Sequence, residues 1–262
     1  MPGGGMTNEV ASGDGQVPVR VVGRRGAAMP MVLMYHSVSP YEQDPYRITV
    51  SPARFERQLR WLCRRGLRGV SMGALVSAWR SGQARGLVGL TFDDGYADFA
   101  EHALPVLARY GFGATAFPVA GLLGGYNDWD PEGPRKPLMT AAQVRQVAEE
   151  GIEIGSHGLR HIPLPGTPTA ALAAEAAESR AILQAASGQE VAGFCYPWGY
   201  LDAATVGAVQ AAGYSYGCAI WRTPEAGLFA LTRAYIDDDD TCVHLVAKEI
   251  KHLLTWGHSW AY

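Results

Sequence analysis

The sequence has few cysteines, no long apolar run and no excess of positive charge, and each shortage removes a class of protein. The four cysteines stand far apart without a C-x-x-C pair, which argues against a disulfide framework or a structural zinc site and predicts buried, reduced thiols. No stretch of about 18 apolar residues is present, so no membrane span is expected. The formal net charge is −3, and no stripe of Lys and Arg indicates nucleic acid or an anionic membrane as a partner.

The first 28 residues are rich in glycine and polar residues and are expected to form a flexible arm. They contain no apolar core of about 7–15 residues behind a basic start, so no secretory signal is visible and the cytoplasm is the expected compartment. No linker or internal repeat divides residues 29–262, which predicts one domain. With 48 % apolar and 18 % charged residues, the chain can bury a sizeable core.

From about residue 30, strand-like and helix-like segments alternate. Short apolar runs predict strands at residues 31–35, 87–92, 113–121, 152–157, 191–197 and 215–220. Apolar residues at helical spacing predict helices over residues 51–66, 96–111, 139–151, 167–188 and 201–214. Ser51 and Thr140 are expected to cap two of these helices, and Pro105 to kink or split a third. The alternation predicts an α/β fold whose largely parallel sheet is closed or nearly closed into a barrel.

Titratable residues follow three of the predicted strands. His36 comes directly after the first strand, Asp93 and Asp94 follow residues 87–92, and His157 and His161 lie at the end of residues 152–157 and just beyond it. In (β/α) barrels, the chemistry gathers at the carboxyl ends of the strands. We therefore expect these side chains to meet at one mouth of the barrel.

Each motif also has a plain structural interpretation. An Asp-Asp pair can cap a helix, two histidines four residues apart can lie on the surface, and His36 can end a strand at the solvent. A cation favours the functional interpretation, because one carboxylate can bind it while the other accepts a proton. One Asp with two His leaves positions open for water, as in catalytic zinc sites, although other divalent metals use the same ligands.

TFDDGY (91–96) together with SHGLRH (156–161) resembles the polysaccharide deacetylase family, also called the NodB-homology or carbohydrate esterase 4 family. The similarity covers about residues 30–235. It implies a distorted (β/α) barrel and removal of N-acetyl or O-acetyl groups from glycans. It further implies that Asp93 is the general base and that Asp94, His157 and His161 hold a divalent metal. Zinc is the expected metal, with cobalt, nickel and manganese as alternatives.

Substrate-binding residues are expected from two loops. The resemblance implies that Tyr196, Pro197, Trp198 and Gly199 line the groove, and that the backbone N–H of Trp198 helps to hold an oxyanion. The irregular segment at residues 122–137 offers Asn127 and Trp129 for contacts with a sugar. A structural loop with a buried tryptophan is the alternative for this segment.

The sequence departs from the family pattern at the third motif and near its end. Many members carry an Arg that orients the base at the position where this chain has Cys195, and many have a late Leu-x-His that supplies the general acid. His244, His252 and His258 lack that context.

A subgroup resembling the biofilm poly-N-acetylglucosamine deacetylases lacks that Arg, is circularly permuted and takes its acid from an N-terminal MYH. This chain has MYH at residues 34–36, which predicts His36 as the general acid. Asp237 and Arg233 are the candidates to orient its ring.

The predicted activity is metal-dependent hydrolysis of an acetamido group on an N-acetylhexosamine-containing glycan or glycoconjugate, with release of acetate. The alternative is an amide hydrolase that acts on a small intracellular metabolite or an aminosugar-bearing natural product, which the missing secretory signal favours. A non-catalytic glycan-binding module is a further rival, although the complete set of Asp and His residues argues against it. The Trp-rich tail at residues 255–262 could close the barrel, contact a partner or shape the groove.

Overall fold

A computed structural model describes residues 29–221 and 223–256. The arm predicted over residues 1–28, His258 and most of the Trp-rich tail lie outside the described residues. The strands within the described ranges are β1 (Val32–Tyr35), β2 (Ser37–Val38), β3 (Thr49–Val50), β4 (Arg68–Val70), β5 (Leu87–Phe92), β6 (Thr115–Ala116), β7 (Glu153–Ile154), β8 (Gly193–Cys195), β9 (Tyr216–Ala219), β10 (Leu231–Thr232) and β11 (Ala234–Tyr235). The α-helices are α1 (Pro52–Arg64), α2 (Met72–Arg80), α3 (Leu104–Tyr110), α4 (Ala141–Glu149), α5 (Thr169–Ser187), α6 (Ala203–Ala211) and α7 (Cys242–Trp256).

The strands pair in parallel around an incomplete ring. One sheet has the order β11-β1-β5-β6-β7, with β4 also paired to β5, and a second has the order β10-β9-β8. On one side, a parallel bridge between Ser156 and Phe194 joins the two sheets. On the other side, β10 and β11 are separated in the chain by Arg233 alone, so the polypeptide passes directly from one sheet to the other. This arrangement confirms the predicted α/β fold of the distorted (β/α) barrel type.

Apolar strands fill the barrel and amphipathic helices cover it. The strands β1 and β5 are almost wholly buried and pair over four residues, from Val32 with Gly89 to Tyr35 with Phe92. Near-continuous apolar runs of this kind are typical of parallel strands with both faces covered. In α1, the helical spacing places Phe55, Leu59 and Leu62 in the core, as predicted. Within the described ranges, no helix is long and apolar enough to cross a membrane.

Local signals predicted the helix ends with mixed success. Thr140 caps α4 in a reciprocal capping box with Gln143, as expected. Ser51 occupies the N-cap position of α1 but makes no capping bond, because its hydroxyl instead donates to Asp238 at 2.7 Å. Pro105 does split its helix, since a π-helical turn over Phe99–Ala103 precedes α3.

Several expectations about lengths and burial were wrong. The strand predicted over residues 113–121 shortens to β6, and a 3₁₀ turn over Ala120–Leu122 begins within its predicted end. The helices α2 and α7 were not predicted. Cys195 and Cys218 are buried thiols as expected, whereas Cys63 and Cys242 are exposed.

Candidate active site

A cleft of about 260 Å³ opens at the carboxyl ends of the barrel strands. It brings together most of the residues singled out in the sequence: His36, Asp93, Asp94, Trp129, His157, His161, Tyr196, Trp198 and Gly199. Each strand contributes through the residue or turn that follows it, as the barrel rule predicts. The candidate acid, base and metal ligands therefore share one cavity.

A sharp turn after β5 points the two carboxylates in different directions. Asp94 has the left-handed backbone angle φ 68°, and Gly95 follows with φ 77°. A side chain at Gly95 would approach Pro118 Cα within 2.7 Å, so only glycine fits this turn. A left-handed angle at a non-glycine residue is uncommon, and here it directs Asp94 away from its neighbour Asp93.

Asp94 is the centre of the predicted metal set. Its Oδ1 lies 3.3 Å from the Nε2 atoms of both His157 and His161, and all three side chains are buried. Two donors bound about 2.0–2.1 Å from a tetrahedral zinc ion lie about 3.4 Å apart, so the observed spacings fit one shared cation. Burial opposes ionisation of Asp94, but the hydrogen bonds from both imidazoles outweigh it and lower its pKa.

The second ring nitrogen of His157 supports the same interpretation. His157 Nδ1 lies 2.8 Å from the carbonyl oxygen of Cys195, so Nδ1–H donates to this oxygen and Nε2 is the ring nitrogen that faces Asp94. His161 is fixed by aromatic rings instead: Trp129 stacks on it at 4.2 Å and Trp198 meets it edge-on at 4.4 Å between ring centroids. The residues present therefore fit a divalent cation with two imidazole ligands and one carboxylate ligand.

Glu175 of α5 holds the turn between the two histidines, a role that sequence reasoning missed. Its carboxylate accepts bonds from the backbone N–H of Leu159 at 2.7 Å and of Arg160 at 3.2 Å, and from Arg160 Nε at 2.6 Å. Glu175 is 1 % exposed, and this buried carboxylate keeps the turn in one conformation. The spacing of α5 gave no sign of it, because a Glu in an Ala-rich helix usually faces solvent.

Asp93 has a different partner from Asp94. Arg233 is the single residue that links β10 to β11. Its guanidinium donates from Nη1 to Asp93 Oδ1 at 2.6 Å and from Nη2 to Oδ2 at 2.8 Å. Burial opposes ionisation of Asp93, but the charge and the two hydrogen bonds of Arg233 outweigh it and hold its pKa below the usual value. Asp93 is thus a fixed carboxylate that is ionised at neutral pH.

The contacts of Cys195 show which group holds Asp93 in place, although this chain has no arginine at position 195. Its Sγ lies 3.4 Å from Asp93 Oδ2 and 3.1 Å from Arg233 Nη2. A guanidinium therefore reaches the base from the link between β10 and β11, 38 residues later in the chain. Arg233 was considered in the sequence as a partner of His36, and that expectation was wrong because both of its Nη atoms are engaged with Asp93.

His36 lies between β1 and β2 at the rim of the same cleft. Its ring centroid is 5.9 Å from that of Tyr235. Nδ1 is buried and has no hydrogen-bond partner among the described residues. Asp237, the other expected partner, instead accepts two hydrogen bonds from Arg47. The histidine is therefore in the cleft, and no described residue bonds to its Nδ1 to fix the tautomer.

The predicted substrate residues divide into two groups. Tyr196, Trp198, Gly199 and Trp129 line the cleft, and Trp198 has the left-handed angle φ 53° in the turn Pro197–Gly199. Pro197, the first residue of this turn, is buried.

Asn127 is also buried, and its side chain serves the loop itself. Its Oδ1 accepts from Lys136 N at 2.6 Å, and its Nδ2 donates to Pro134 O. The same loop adds Asp130 to the lining of the cleft, a residue that the sequence did not single out.

Residues 80–217 match the family model described as polysaccharide deacetylase, which is more than half of the chain. The chain belongs to the polysaccharide deacetylase family. The match includes the Asp93-Asp94 pair and both histidines, His157 and His161, but ends before Arg233.

Known proteins similar to this polysaccharide deacetylase family member agree with the assignment. The Bacillus subtilis protein YxkH, a polysaccharide deacetylase by name, is 29 % identical over 78 % of this chain and 70 % of its own. The Escherichia coli poly-beta-1,6-N-acetyl-D-glucosamine N-deacetylase is 29 % identical over 48 % of this chain, a match that spans 20 % of that enzyme. A Streptococcus pyogenes deacetylase, PplD in complex with acetate, has the same fold, with a TM-score of 0.71, 23 % identity and coverage of 85 % of this chain and 98 % of that one.

Proposed function

We propose that this protein hydrolyses the acetamido group of an N-acetylhexosamine-containing glycan or glycoconjugate and releases acetate, with a divalent cation as cofactor. The observation that carries the proposal is the division of the Asp93-Asp94 pair. One carboxylate is shared by two imidazoles and the other is held by a guanidinium, although they are consecutive in the chain. Metal-assisted hydrolysis of an amide uses such a pairing of an electrophilic centre with a separate proton acceptor.

Asp94, His157 and His161 are the residues that would hold the cation. When bound, a zinc-like ion supplies Lewis acidity to the acetyl carbonyl and lowers the pKa of water at the site to about 7. The aromatic rings of Trp129 and Trp198 pack against the buried ring of His161 and shield it from bulk water, although Trp198 itself is 39 % exposed. Low local polarity strengthens the electrostatic interactions that the site makes with its substrate.

Asp93 is the proposed general base. Arg233 fixes both of its oxygens in position, and a carboxylate has about four lone-pair directions, so Asp93 can still accept a proton from the attacking water. His36 is the proposed general acid, which gives a proton to the departing amine, since an amine leaves poorly as an anion. The two groups need opposite protonation states, and the ion pair to Arg233 favours ionised Asp93.

The turn that carries Trp198 is proposed to bind the reacting acetyl group. Its N–H is the proposed donor to the oxyanion, and its strained backbone angle is the kind of conformation found at functional sites. Tyr196, Trp129 and Gly199 would shape the walls around the sugar.

The relatives suggest the substrate class. A poly-beta-1,6-N-acetyl-D-glucosamine N-deacetylase is among the similar proteins, and the MYH at residues 34–36 is the element by which the sequence resembles that subgroup. Poly-N-acetylglucosamine is therefore the first substrate to test. The expected cytoplasmic location stays a prediction.

The decisive experiment is acetate release from a panel of N-acetylated sugars. Metal-depleted protein is assayed alone and with added Zn, Co, Ni or Mn against N-acetylglucosamine oligomers with β-1,6 or β-1,4 linkage and against small acetamides. We expect metal-dependent release of acetate from the oligomers. Turnover of small acetamides alone would favour the metabolite hydrolase, and the absence of both turnover and metal binding would support a non-catalytic module.

A further inference from the structure

Lys136 connects two rims of the catalytic cleft and has no part in the catalytic steps above. One rim is the segment after β1, which begins with His36 and continues through Ser37 to Ser39. The other is the segment between β6 and α4, which contains both Trp129 and Lys136. The Lys136 side chain extends from the second rim to the first and is only 15 % exposed. Because lysine side chains are mostly exposed, a lysine in this position needs specific partners.

Three hydroxyl groups of the first rim bind the Lys136 ammonium. Its Nζ donates to Ser37 Oγ at 2.5 Å, to Thr49 Oγ1 at 2.9 Å and to Ser39 Oγ at 3.2 Å. An ammonium has three N–H donors, so these bonds use all of them. Ser37 and Thr49 are buried and pair with each other across β2 and β3. Lys136 therefore holds both strands of this small sheet.

Asp98 supplies a negative charge beside the ammonium. Its Oδ2 lies 3.8 Å from Lys136 Nζ and accepts a hydrogen bond from Ser37 Oγ at 2.6 Å. Its Oδ1 accepts from the backbone N–H of Val38 at 3.2 Å. The Asp98 side chain is 14 % exposed, so the pair is largely removed from solvent. The Ser37 hydroxyl is thus held between a cation and an anion.

The position of His36 depends on the backbone on both of its sides. His36 is the single residue between β1 and β2. On one side, β1 pairs with β5 along its whole length, whereas on the other side β2 pairs with β3 over only two residues. No described residue bonds to His36 Nδ1 to hold the ring. The side chains that hold Ser37 therefore also fix the weaker of the two supports of His36.

The backbone of Lys136 closes the base of the loop that carries Trp129. Lys136 N donates to Asn127 Oδ1 at 2.6 Å, and Asn127 N donates to Lys136 O at 3.2 Å. Between these two positions, Trp129 stacks on His161 with 4.2 Å between the ring centroids. One residue thus links the loop on the metal side of the cleft to the segment that carries the proposed acid.

We propose that Lys136 is a positioning residue for proton donation, which keeps His36 in a fixed place relative to the metal side of the cleft. The inference rests on the proposed function and adds a residue that acts through His36 rather than on the substrate. Displacement of a catalytic group by about 1 Å can cost about 10²-fold in rate. Loss of the Lys136 contacts should therefore lower kcat for the deacetylation by about 10–100-fold.

A double-mutant cycle with His36 tests this role. Acetate release from an N-acetylglucosamine oligomer is measured in the metal-loaded wild type, Lys136→Met, His36→Ala and the double variant. We expect Lys136→Met to lower kcat by about 10–100-fold alone but by less than about threefold in the His36→Ala background, because the group that it positions is then absent. Equal losses in both backgrounds would overturn the inference. Lys251→Met, the same change at an exposed lysine outside the cleft, is the control.

A second variant covers the case in which Lys136→Met leaves Asp98 unpaired and does not fold. Thr49→Val removes one of the three hydroxyl acceptors but retains the shape of the side chain and both charges. We expect a loss of about 2–10-fold in kcat that again disappears in the His36→Ala background. A loss that persists in that background, or no loss at all, would contradict the positioning role. Thermal melting of each variant shows that the fold is retained.

A spectrum of the imidazole rings separates failure of the positioning role from failure of the proposed reaction. The ¹H–¹⁵N ring signal that is absent from His36→Ala is assigned to His36. We expect this signal to shift or broaden in Lys136→Met and to match wild type in Lys251→Met. Such a change supports the positioning role even when the wild type releases no acetate, in which case only the reaction has failed. An unchanged His36 signal in Lys136→Met removes the positioning role, whatever the catalytic result.

Discussion

Asp93 and Asp94 are neighbours in the chain but belong to two different regions of the site. Asp94 faces two imidazoles, and a cation can take the place of the hydrogen bonds between the carboxylate and these rings. Asp93 faces a guanidinium, which is permanently charged and holds both carboxylate oxygens. A second cation beside Asp93 would meet the charge of Arg233, so this carboxylate is poorly suited to bind metal.

The difference shows how one turn gives two identical side chains, Asp93 and Asp94, different roles. Both carboxylates are buried, and both have their pKa lowered against the effect of burial, but by different partners. The left-handed angle at Asp94 makes the division possible, because it turns the second carboxylate toward the histidines. The predictions below test whether the two regions are as separate as the geometry indicates.

The largest effect is expected from replacing each aspartate with its amide. Asp93→Asn should lower kcat by about 10³–10⁴-fold, because the proton acceptor is lost, while bound metal stays at one equivalent. Asp94→Asn should remove both activity and metal, because a ligand is lost. Elemental analysis of the purified variants and acetate release measure the two effects. Loss of metal in Asp93→Asn would show that the regions are not separate.

His36→Ala should lower kcat by about 10²–10³-fold with metal content unchanged, because the departing amine loses its proton donor. A substrate with a good leaving group, such as an activated aryl acetate, should be much less affected because it needs no acid. His244→Ala, which changes an exposed histidine outside the cleft, is the matched control. An equal loss of activity on both substrates would show that His36 is not the proton donor and only ends strand β1 at the solvent.

Arg233→Met should change both stability and the pH dependence of activity. Without Arg233, burial raises the pKa of Asp93, so the acidic limb of kcat/KM moves to higher pH. In wild type, the lowered pKa gives stability that is present above the unfolded value of about 3.9 and is lost as the pH falls through the folded pKa. Removing one partner of a buried ion pair costs about 3–5 kcal/mol, and this deficit should shrink as protonation of Asp93 relieves the unpaired charge.

Arg233→Lys is the control, since it retains the charge but not the two-point contact. Thermal melts between pH 5 and pH 8 and pH–rate profiles are measured for both variants. A stability deficit that is independent of pH would indicate that Arg233 acts through packing rather than through Asp93.

The two regions also differ in how far the sequence reveals them. The metal side is encoded locally, since each ligand follows an apolar strand or lies four residues from another ligand, and the barrel rule brings these strand ends together. The base side depends on Arg233, which stands between two strands of two residues each, too short to give a periodic signal. Its contact with Asp93 spans 140 residues, and local patterns do not encode such a pairing. Glu175 was missed for the same reason, because its partners lie in a turn rather than in its own helix.

Glu175→Gln should weaken metal binding by about 10–100-fold, because the turn between the histidines loses its charged acceptor. The amide retains the size of the side chain and one oxygen, so the fold should persist. Competition with a chromophoric chelator measures the metal affinity, and activity at saturating metal should recover most of the wild-type value. Glu178→Gln, three residues along the same helix and outside these contacts, is the control. Unchanged affinity in Glu175→Gln would mean that the turn is held by its own backbone.

The smallest effect is expected from Cys195→Ala. The thiol contacts both Asp93 and Arg233, yet it is a weak donor and acceptor, whereas the guanidinium makes two short charged bonds. We therefore expect kcat to change by less than about threefold, which corresponds to the loss of one weak hydrogen bond. Cys63→Ala, an exposed thiol, serves as the control for alkylation and handling. If Cys195→Ala lowered activity as much as Arg233→Met, the thiol would be as important as the guanidinium in holding the base. The contrast between the two regions would then depend on Cys195 and Arg233 together rather than on Arg233 alone.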